Sequence, residues 1–155
     1  MANPFIRRSA HRCPTRHVVQ LLFYPVTDAA MNNASYHEFE NGPWLTIATM
    51  KYCWGQYLPS GTDSKQPHIS PLNASLDALS GQAKALVITD ENDVLRDEEE
   101  AYAQKLIEAG VPTIATRYNG TIHDFVMLNA LAQTPAARAA IAQANQFLRD
   151  AFGER

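Results

Sequence analysis

The sequence predicts an α/β fold with about three parallel strands and with helices on both faces of the sheet. Three short apolar runs alternate with segments that have helical spacing and helix-capping residues. The runs are almost continuously apolar, which is typical of strands covered on both faces. With 155 residues, of which 46% are apolar, the chain has the size of one domain and enough apolar residues for a packed core.

The three predicted strands are bounded by proline, glycine and asparagine. The first is Val18-Val-Gln-Leu-Leu-Phe23, which ends before Pro25. The second is Ala85-Leu-Val-Ile-Thr89. The third is Thr113-Ile-Ala-Thr-Arg-Tyr118, which ends at Asn119-Gly120. We therefore expect strands near 18–23, 85–89 and 112–118.

Two helices are predicted from their end signals. The segment 96–109 begins with four acidic residues at 97–100, whose charge suits the positive end of the helix dipole, and Gly110 follows as a left-handed cap. The last helix has Thr134 as N-cap and Pro135 at its first position. The order strand, helix, strand, helix predicts a right-handed βαβ unit and hence a parallel sheet.

About sixty residues separate the first two strands, far more than a simple crossover needs. The stretch Trp44 to Leu58 is predicted to be helical, and its aromatic residues are expected to pack in the core. Residues 59–67 are rich in Pro, Ser and Gly, which predicts a loop.

Composition and charge exclude several classes of protein. Lys and Arg number 13 against 16 Asp and Glu, so we expect no nucleic-acid partner. No apolar run approaches the length of a membrane helix, so we expect no membrane span. Residues 1–17 are predicted as a basic leader, poorly ordered or extended, and they lack the apolar run of a signal peptide. We therefore expect a cytoplasmic protein.

No motif in the chain indicates a metal or a cofactor. The sequence has no Gly-rich phosphate loop, no His-Glu-x-x-His and no Cys-x-x-Cys. His11, Cys13 and His17 lie close together, but their spacing matches no common metal site, and Cys13 and Cys53 are too few for a disulfide framework. We expect neither a metal centre nor a cofactor.

Two residues are candidates for catalysis because of their place after predicted strands. Asp93 follows the strand 85–89, and His123 follows the strand 113–118. The carboxyl ends of parallel strands share one edge of the sheet, where open α/β sheets build their sites. A carboxylate there can hold the imidazole tautomer while the other ring nitrogen takes a proton. The alternative is a capping Asp and an ordinary surface His.

The sequence around these residues resembles the C-terminal half of the hormone-sensitive-lipase-like branch of the α/β-hydrolases, which are carboxylesterases and lipases of α/β-hydrolase fold-3. The resemblance runs from about Val18 to about Phe152, so residues 18–155 are expected to form a partial α/β-hydrolase fold. The segments that carry it are Leu22-Phe-Tyr-Pro-Val-Thr-Asp28, Trp44-Leu-Thr46, Tyr57-Leu-Pro59, Ser70-Pro-Leu72, Ala85-Leu-Val-Ile-Thr89, Asp93-Val-Leu-Arg-Asp-Glu98, Tyr102-Ala103, Ala109-Gly-Val111 and His123-Asp-Phe125.

The resemblance implies that Asp93 and His123 are the catalytic Asp and His of a Ser-Asp-His triad. The family carries its Ser on a Gly-x-Ser-x-Gly elbow, and this elbow and the His-Gly-Gly-Gly oxyanion segment are absent from the 155 residues. In the family both lie upstream of the equivalent of Val18. A smaller departure is Glu99, where the family usually has Gly.

None of the serines of this chain sits in an elbow. Ser70 matches a family segment and is expected to be structural. Ser60 and Ser64 lie on the predicted loop and are the weak candidates for a substitute nucleophile. The complete set is Ser9, Ser35, Ser60, Ser64, Ser70, Ser75 and Ser80.

Three functional readings follow. The first is a carboxylic-ester hydrolase with weak or no activity alone, acting on a small ester whose acyl and alcohol parts the sequence leaves open. The second is a non-catalytic half-domain whose exposed sheet edge drives assembly. The third is one part of a split hydrolase. We also expect a homo-oligomer joined through the edge of the strand 18–23, with Asp93 and His123 in hydrogen-bonding reach and near the surface.

Overall fold

The computed structural model describes residues 17–153. The predicted leader, apart from His17, therefore lies outside the described residues, as do His11, Cys13 and Ser9. The strands are β1 (Val19–Phe23), β2 (Lys84–Asn92) and β3 (Thr113–Ile122). The helices are α1 (Ala34–Glu38), α2 (Ile47–Tyr57), α3 (Leu76–Leu79), α4 (Arg96–Glu108) and α5 (Pro135–Phe152), with single 3-10 turns at Pro71–Asn73 and Asn129–Leu131.

The three strands form one parallel sheet in the order β1-β2-β3, which confirms the predicted parallel α/β fold. Phe23 pairs with Ile88, and Ala85 pairs with Thr113. Both β2 and β3 run beyond the predicted ends, because their pairing resumes at Asn92 and Ile122 after a register shift. The longer strands bring the two loops that follow them close together.

Helices cover both faces of the sheet, as the apolar runs predict. On one face, Leu86 and Ile88 pack against the alanine-rich side of α5 and Phe147. On the other face, Ala85 packs against Tyr102 and Leu106 of α4. Every residue of β2 from Ala85 to Asp90 is buried, so β2 is the centre of the molecule.

The helix ends agree with their sequence signals. The Thr134 hydroxyl accepts a hydrogen bond from the Ala137 N–H, and Pro135 begins α5. Gly110 has a φ of +77° directly after α4, a conformation that glycine adopts without strain. No helix among residues 17–153 has the length and apolar character needed to cross a membrane.

The expectation that the aromatic residues of the 44–58 segment pack in the core is wrong for most of them. Of the helix α2, Met50 is buried, whereas Tyr52 and Tyr57 are exposed. The helix contacts the molecule along its Met50 side, in a cluster with Tyr36, Val94 and Leu95. Its other side borders an open apolar cavity of about 570 Å³, which no other element among residues 17–153 fills.

Candidate functional site

Asp93 lies directly after β2 and is held there by its own loop. Its Oδ1 accepts a hydrogen bond from the Leu95 N–H at 3.1 Å, which closes a short turn between β2 and α4. Val94 and Leu95 are fully buried on either side of this turn. The position and direction of the Asp93 carboxylate are therefore fixed by packed apolar neighbours.

His123 lies directly after β3 and points at Asp93. The His123 Nδ1 is 2.7 Å from the Asp93 Oδ2, which confirms the expectation that the two side chains are in hydrogen-bonding reach. The expectation that the pair lies near the surface is wrong for Asp93, which is 1% exposed, and the His123 side chain keeps 14%. The pair is enclosed because Tyr24 packs against the His123 ring and because Val94 and Leu95, which follow Asp93, are fully buried.

The geometry assigns the tautomer of His123. An ionised carboxylate only accepts hydrogen bonds, so Nδ1 carries the proton that is donated to Asp93. Nε2 then has a free lone pair. It lies 3.7 Å from the Asp124 Oδ1, too far for a direct hydrogen bond. Nε2 is thus a base that can take a proton from a substrate or a nucleophile.

Tyr24 is a wall of the site that the sequence analysis did not single out as a site residue. Its ring centroid lies 4.8 Å from that of His123, and the ring also contacts Phe23 and, edge-on, Phe125. Tyr24 has a φ of +36°, an unusual value for a residue other than glycine. Strain of this kind concentrates at functional sites. The sequence signal that could have identified Tyr24 is its place before Pro25, directly after an apolar strand.

A second pair of residues with unusual backbone conformation lies beside His123. Asp124 and Trp44 both have positive φ values, +64° and +67°. The Trp44 indole N–H donates a hydrogen bond to the Asp124 Oδ2 at 3.1 Å. Trp44 therefore connects the long segment after β1 with the loop that carries His123, although its own side chain is largely exposed.

Ser35 and Ser70 have structural roles. The Ser35 hydroxyl donates to the Val94 carbonyl at 2.7 Å, and its N–H donates to the Asp97 carboxylate. Helix α1 is thereby fastened to the turn that holds Asp93. The Ser70 hydroxyl, fully buried, donates to the Ser64 carbonyl at 2.7 Å, which confirms the structural role expected for Ser70.

Glu98 is buried and joins α4 to the segment after β1. Its Oε1 accepts the N–H groups of Thr27 at 2.6 Å and of Asp28 at 2.9 Å. Burial raises the pKa of Glu98 to about 7, while the two backbone donors oppose that shift. The sequence analysis interpreted residues 97–100 as helix-dipole partners. For Glu98 this is incomplete, because the carboxylate also holds a loop in place.

Two more acidic side chains are buried beside Asp93, and the sequence analysis assigned neither to the site. Asp90 and Glu99 have no hydrogen-bond partner for their carboxyl oxygens among residues 17–153. Burial, together with the negative charge of Asp93, raises the pKa of Asp90 to about 9. The same two causes raise the pKa of Glu99 well above its usual value. Asp90 and Glu99 become neighbours of Asp93 only in the folded structure, so the sequence alone does not predict this contact.

Asp90, Asp93 and His123 are the group of described residues whose spacing could suit a metal ion. Their candidate ligand atoms all lie within 4.8 Å of one another. A cation on the Nδ1 side of His123 would have to break the 2.7 Å hydrogen bond to Asp93. The arrangement is that of a hydrogen-bonded acid and base, so we assign no metal ligands.

The comparisons with known proteins agree with the observed fold. The sequence profile of the alpha/beta hydrolase fold family matches residues 2–127, which include β1, β2, β3 and both Asp93 and His123. The chain belongs to the alpha/beta hydrolase fold family. The match also includes most of the segment predicted as a leader, for which the structure describes only His17.

Two ester-hydrolysing enzymes and a viral alpha/beta hydrolase are similar to this chain. A thermostable esterase from Pseudomonas putida has 49% identity and a TM-score of 0.81 over 84% of this chain and 41% of its own. An alpha/beta hydrolase of Acanthamoeba polyphaga mimivirus is 44% identical over 89% of this chain and 40% of its own. An ethyl acetate hydrolase from Pseudomonas putida is 34% identical over 73% of this chain and 35% of its own.

The chain spans about 40% of the length of the curated relatives and solved structures it matches. The similarity confirms a partial alpha/beta hydrolase domain related to carboxylic ester hydrolases. The part of the relatives that this chain does not span is the larger one. What the whole protein does is therefore a proposal.

Proposed function

We propose that this chain supplies the aspartate and the histidine of a Ser-Asp-His triad in a carboxylic-ester hydrolase, with Asp93 and His123 in those roles. The observation that carries the proposal is the 2.7 Å contact between Asp93 Oδ2 and His123 Nδ1 at the carboxyl edge of a parallel sheet. The alternative is a surface His and a capping Asp. It does not explain why the Asp93 carboxylate is fully buried and the His123 imidazole largely buried.

The proposed chemistry uses both nitrogens of His123. Nε2 takes the proton of a hydroxyl nucleophile as it attacks the ester carbonyl, and the buried charge of Asp93 stabilises the imidazolium that forms. Nε2 then returns the proton to the departing alkoxide. Tyr24, packed against the ring at 4.8 Å, keeps the imidazole in this orientation.

The nucleophile is proposed to lie outside these 155 residues, which contain no Gly-x-Ser-x-Gly. Ser35 and Ser70 are fully buried and hydrogen-bonded, so neither can attack an ester. We therefore expect weak or no ester hydrolysis by this chain alone. A small carboxylic ester is the proposed substrate class, supported by the similarity to an ethyl acetate hydrolase.

Reconstitution tests this function. The segment of the Pseudomonas putida esterase that precedes its matched part is produced separately and mixed with this chain. We expect the mixture to hydrolyse p-nitrophenyl acetate, and His123→Ala to remove on the order of 10⁴-fold or more of that rate. The matched control is His37→Ala, since His37 is exposed on α1 and should leave the rate unchanged. A complex that hydrolyses no ester, or one indifferent to His123→Ala, contradicts the proposal.

A second function, assembly, is favoured by the outer side of β1. A groove of about 320 Å³ lined by residues 20–23 runs along this strand, and β1 pairs only with β2 within residues 17–153. An unpaired apolar strand edge is a template for another chain. We propose that the 155-residue chain forms a homodimer through β1, two copies meeting about a two-fold axis.

Light scattering coupled to size-exclusion chromatography tests the assembly. The chain has a mass of 17.2 kDa, so the proposal predicts a species of about twice that mass at micromolar concentration. A stable monomer contradicts it. The split-hydrolase alternative instead predicts that the homodimer gives way to a complex when the esterase segment is added. The cytoplasmic location and the lack of a nucleic-acid partner stay predictions.

A further inference from the structure

Asp90 is a carboxyl group that the proposed chemistry does not use. It lies on β2, three residues before Asp93, and has no exposed surface. One of its oxygens lies within 4.8 Å of candidate ligand atoms of both Asp93 and His123. Neither of its oxygens receives a hydrogen bond from residues 17–153.

Two buried carboxyl groups this close cannot both be ionised, because like charges repel strongly where water is excluded. Hydrogen bonding decides which one keeps a proton. Asp93 accepts two donors, the His123 Nδ1–H and the Leu95 N–H, and both favour its ionised form. Asp90 receives no donor. The ionised form of Asp90 therefore has nothing to stabilise it.

We propose that Asp90 is a positioning residue that stays neutral and donates its carboxyl proton to Asp93. Two ionised carboxylates are both acceptors and cannot bond each other, whereas a neutral Asp90 can donate. This hydrogen bond would orient the Asp93 carboxylate towards His123 and leave one negative charge, rather than two, beneath the imidazole. The inference rests on the proposed function and adds a second carboxyl-bearing side chain to it.

Groups on every element around Asp90 favour its neutral form, except for one. Burial, followed by the negative charges of Asp93 and Asp124, raises its pKa to about 9. The Glu99 carboxyl on α4 and the Tyr24 hydroxyl after β1 also face Asp90, and both resist ionisation because they are buried. The exception is His123, whose charged form would attract an ionised Asp90. Its Nδ1–H is already given to Asp93.

The first measurement follows the proton directly in the full chain. Carbon-13 NMR of the aspartate carboxyl carbons, recorded from pH 5 to 10, reports the charge of Asp90 and of Asp93. We expect Asp90 to be neutral at pH 7 and to ionise with a midpoint near 9. An Asp90 signal that is already ionised at pH 7 overturns the proposal without the need for any variant.

The second measurement compares two asparagine variants by the protonation midpoint of His123, read from its imidazole nitrogens. Asp90→Asn replaces one neutral donor by another, so we expect a shift below about 0.3 pH units. Asp124→Asn is the matched control, because Asp124 is an acid 3.7 Å from Nε2 and partly exposed. Its loss removes a negative charge beside the ring, so the His123 midpoint should fall by roughly one pH unit, a tenfold change in proton affinity.

The outcomes separate the charge of Asp90 from a structural role. A fall of about one pH unit in Asp90→Asn, equal to that in Asp124→Asn, shows that Asp90 is charged and overturns the proposal. An unchanged midpoint with Asp124→Asn shifted supports it. Both NMR measurements use this chain without any ester, so failure of the reconstituted hydrolase and failure of this inference are read independently.

Discussion

The two outer strands of the sheet, β1 and β3, differ in the side chains that they carry. β3 carries polar and charged side chains on its outer half: Arg117 is paired with Glu100 at 2.6 Å through two nitrogens, and Thr116 accepts a hydrogen bond from Gln143. β1 is Val-Gln-Leu-Leu-Phe and has an apolar groove beside it. Natural sheet edges are protected by charge and irregular pairing. The side chains of β3 are therefore typical of a sheet edge, whereas those of β1 are typical of an interior strand.

Two glutamates in the first turn of α4, Glu98 and Glu100, make contacts on the β1 side and on the β3 side of the sheet, respectively. Glu98 accepts the N–H groups of Thr27 and Asp28 after β1, in a buried place. Glu100 binds the side chain of Arg117 on β3, at the surface. The side of the sheet near β1 thus depends on buried polar contacts, whereas the side near β3 depends on a solvated ion pair.

The largest expected effect comes from removing these two glutamates in turn. Glu98→Ala leaves the buried Thr27 N–H and the partly buried Asp28 N–H without an acceptor and should lower the free energy of unfolding by about 3 kcal/mol. Glu100→Ala should cost about 0.5 kcal/mol, because solvent screens its ion pair. Urea denaturation followed by circular dichroism measures both. Equal losses would show that buried and solvated contacts stabilise the two sides of the sheet alike.

The next largest effect is expected in the pH dependence of the stability contributed by Glu98. Unfolded Glu98 has a pKa of about 4.3, and the folded pKa is raised to about 7. Between these values the unfolded chain binds fewer protons than the folded one, so stability falls as pH rises through this window. Against Glu98→Gln, which cannot titrate, the wild-type chain should lose on the order of 2 kcal/mol between pH 4.5 and 7. A flat difference would show that folding does not raise the pKa of Glu98.

Lysine substitutions at two equally exposed β-branched residues probe the two edges directly. Val18, next to β1, is 54% exposed, and Ile114, on β3, is 51% exposed. Val18→Lys should weaken homodimerisation by at least about tenfold, since a charge would be desolvated at the interface. Ile114→Lys should leave the oligomeric state unchanged. Light scattering over a concentration series gives both results, and a stronger effect at Ile114 would assign the interface to β3.

The smallest effect is expected at the ion pair on β3. Arg117→Ala removes a half-exposed cation bound to Glu100 and should change the free energy of unfolding by no more than about 0.5 kcal/mol. Added salt should have little effect on the variant and should erase the difference from wild type. Chemical denaturation at low and high salt checks this. A loss of several kcal/mol would show that β3 depends on this pair.

The sequence predicts the parallel sheet and the Asp93–His123 contact because both follow from local signals. Apolar runs identify the strands, and the two candidate residues come directly after them. Asp90 and Glu99 escape such reasoning, since their meeting depends on how α4 packs against β2. Composition alone does not separate a buried acid from a solvated one at a helix start.

The exposure of the aromatic residues of α2 could not be predicted from the sequence for a related reason. Helical spacing predicts one buried face, but burial also needs a layer to pack against. Met50 finds such a layer in Tyr36, Val94 and Leu95. Tyr52, on another side of the helix, does not find one within residues 17–153.

Amide hydrogen exchange of β1 and β3, measured as a function of protein concentration, tests the central claim that β1 is the edge built for pairing. The Tyr24 N–H bonds the Ile88 carbonyl, and amides alternate in direction along a strand. The N–H groups of Val19, Leu21 and Phe23 therefore point away from β2. We predict that these three amides gain at least about tenfold protection on assembly while the outward amides of β3 stay unchanged. Equal exchange at both concentrations, or protection gained on β3 instead, would contradict the account.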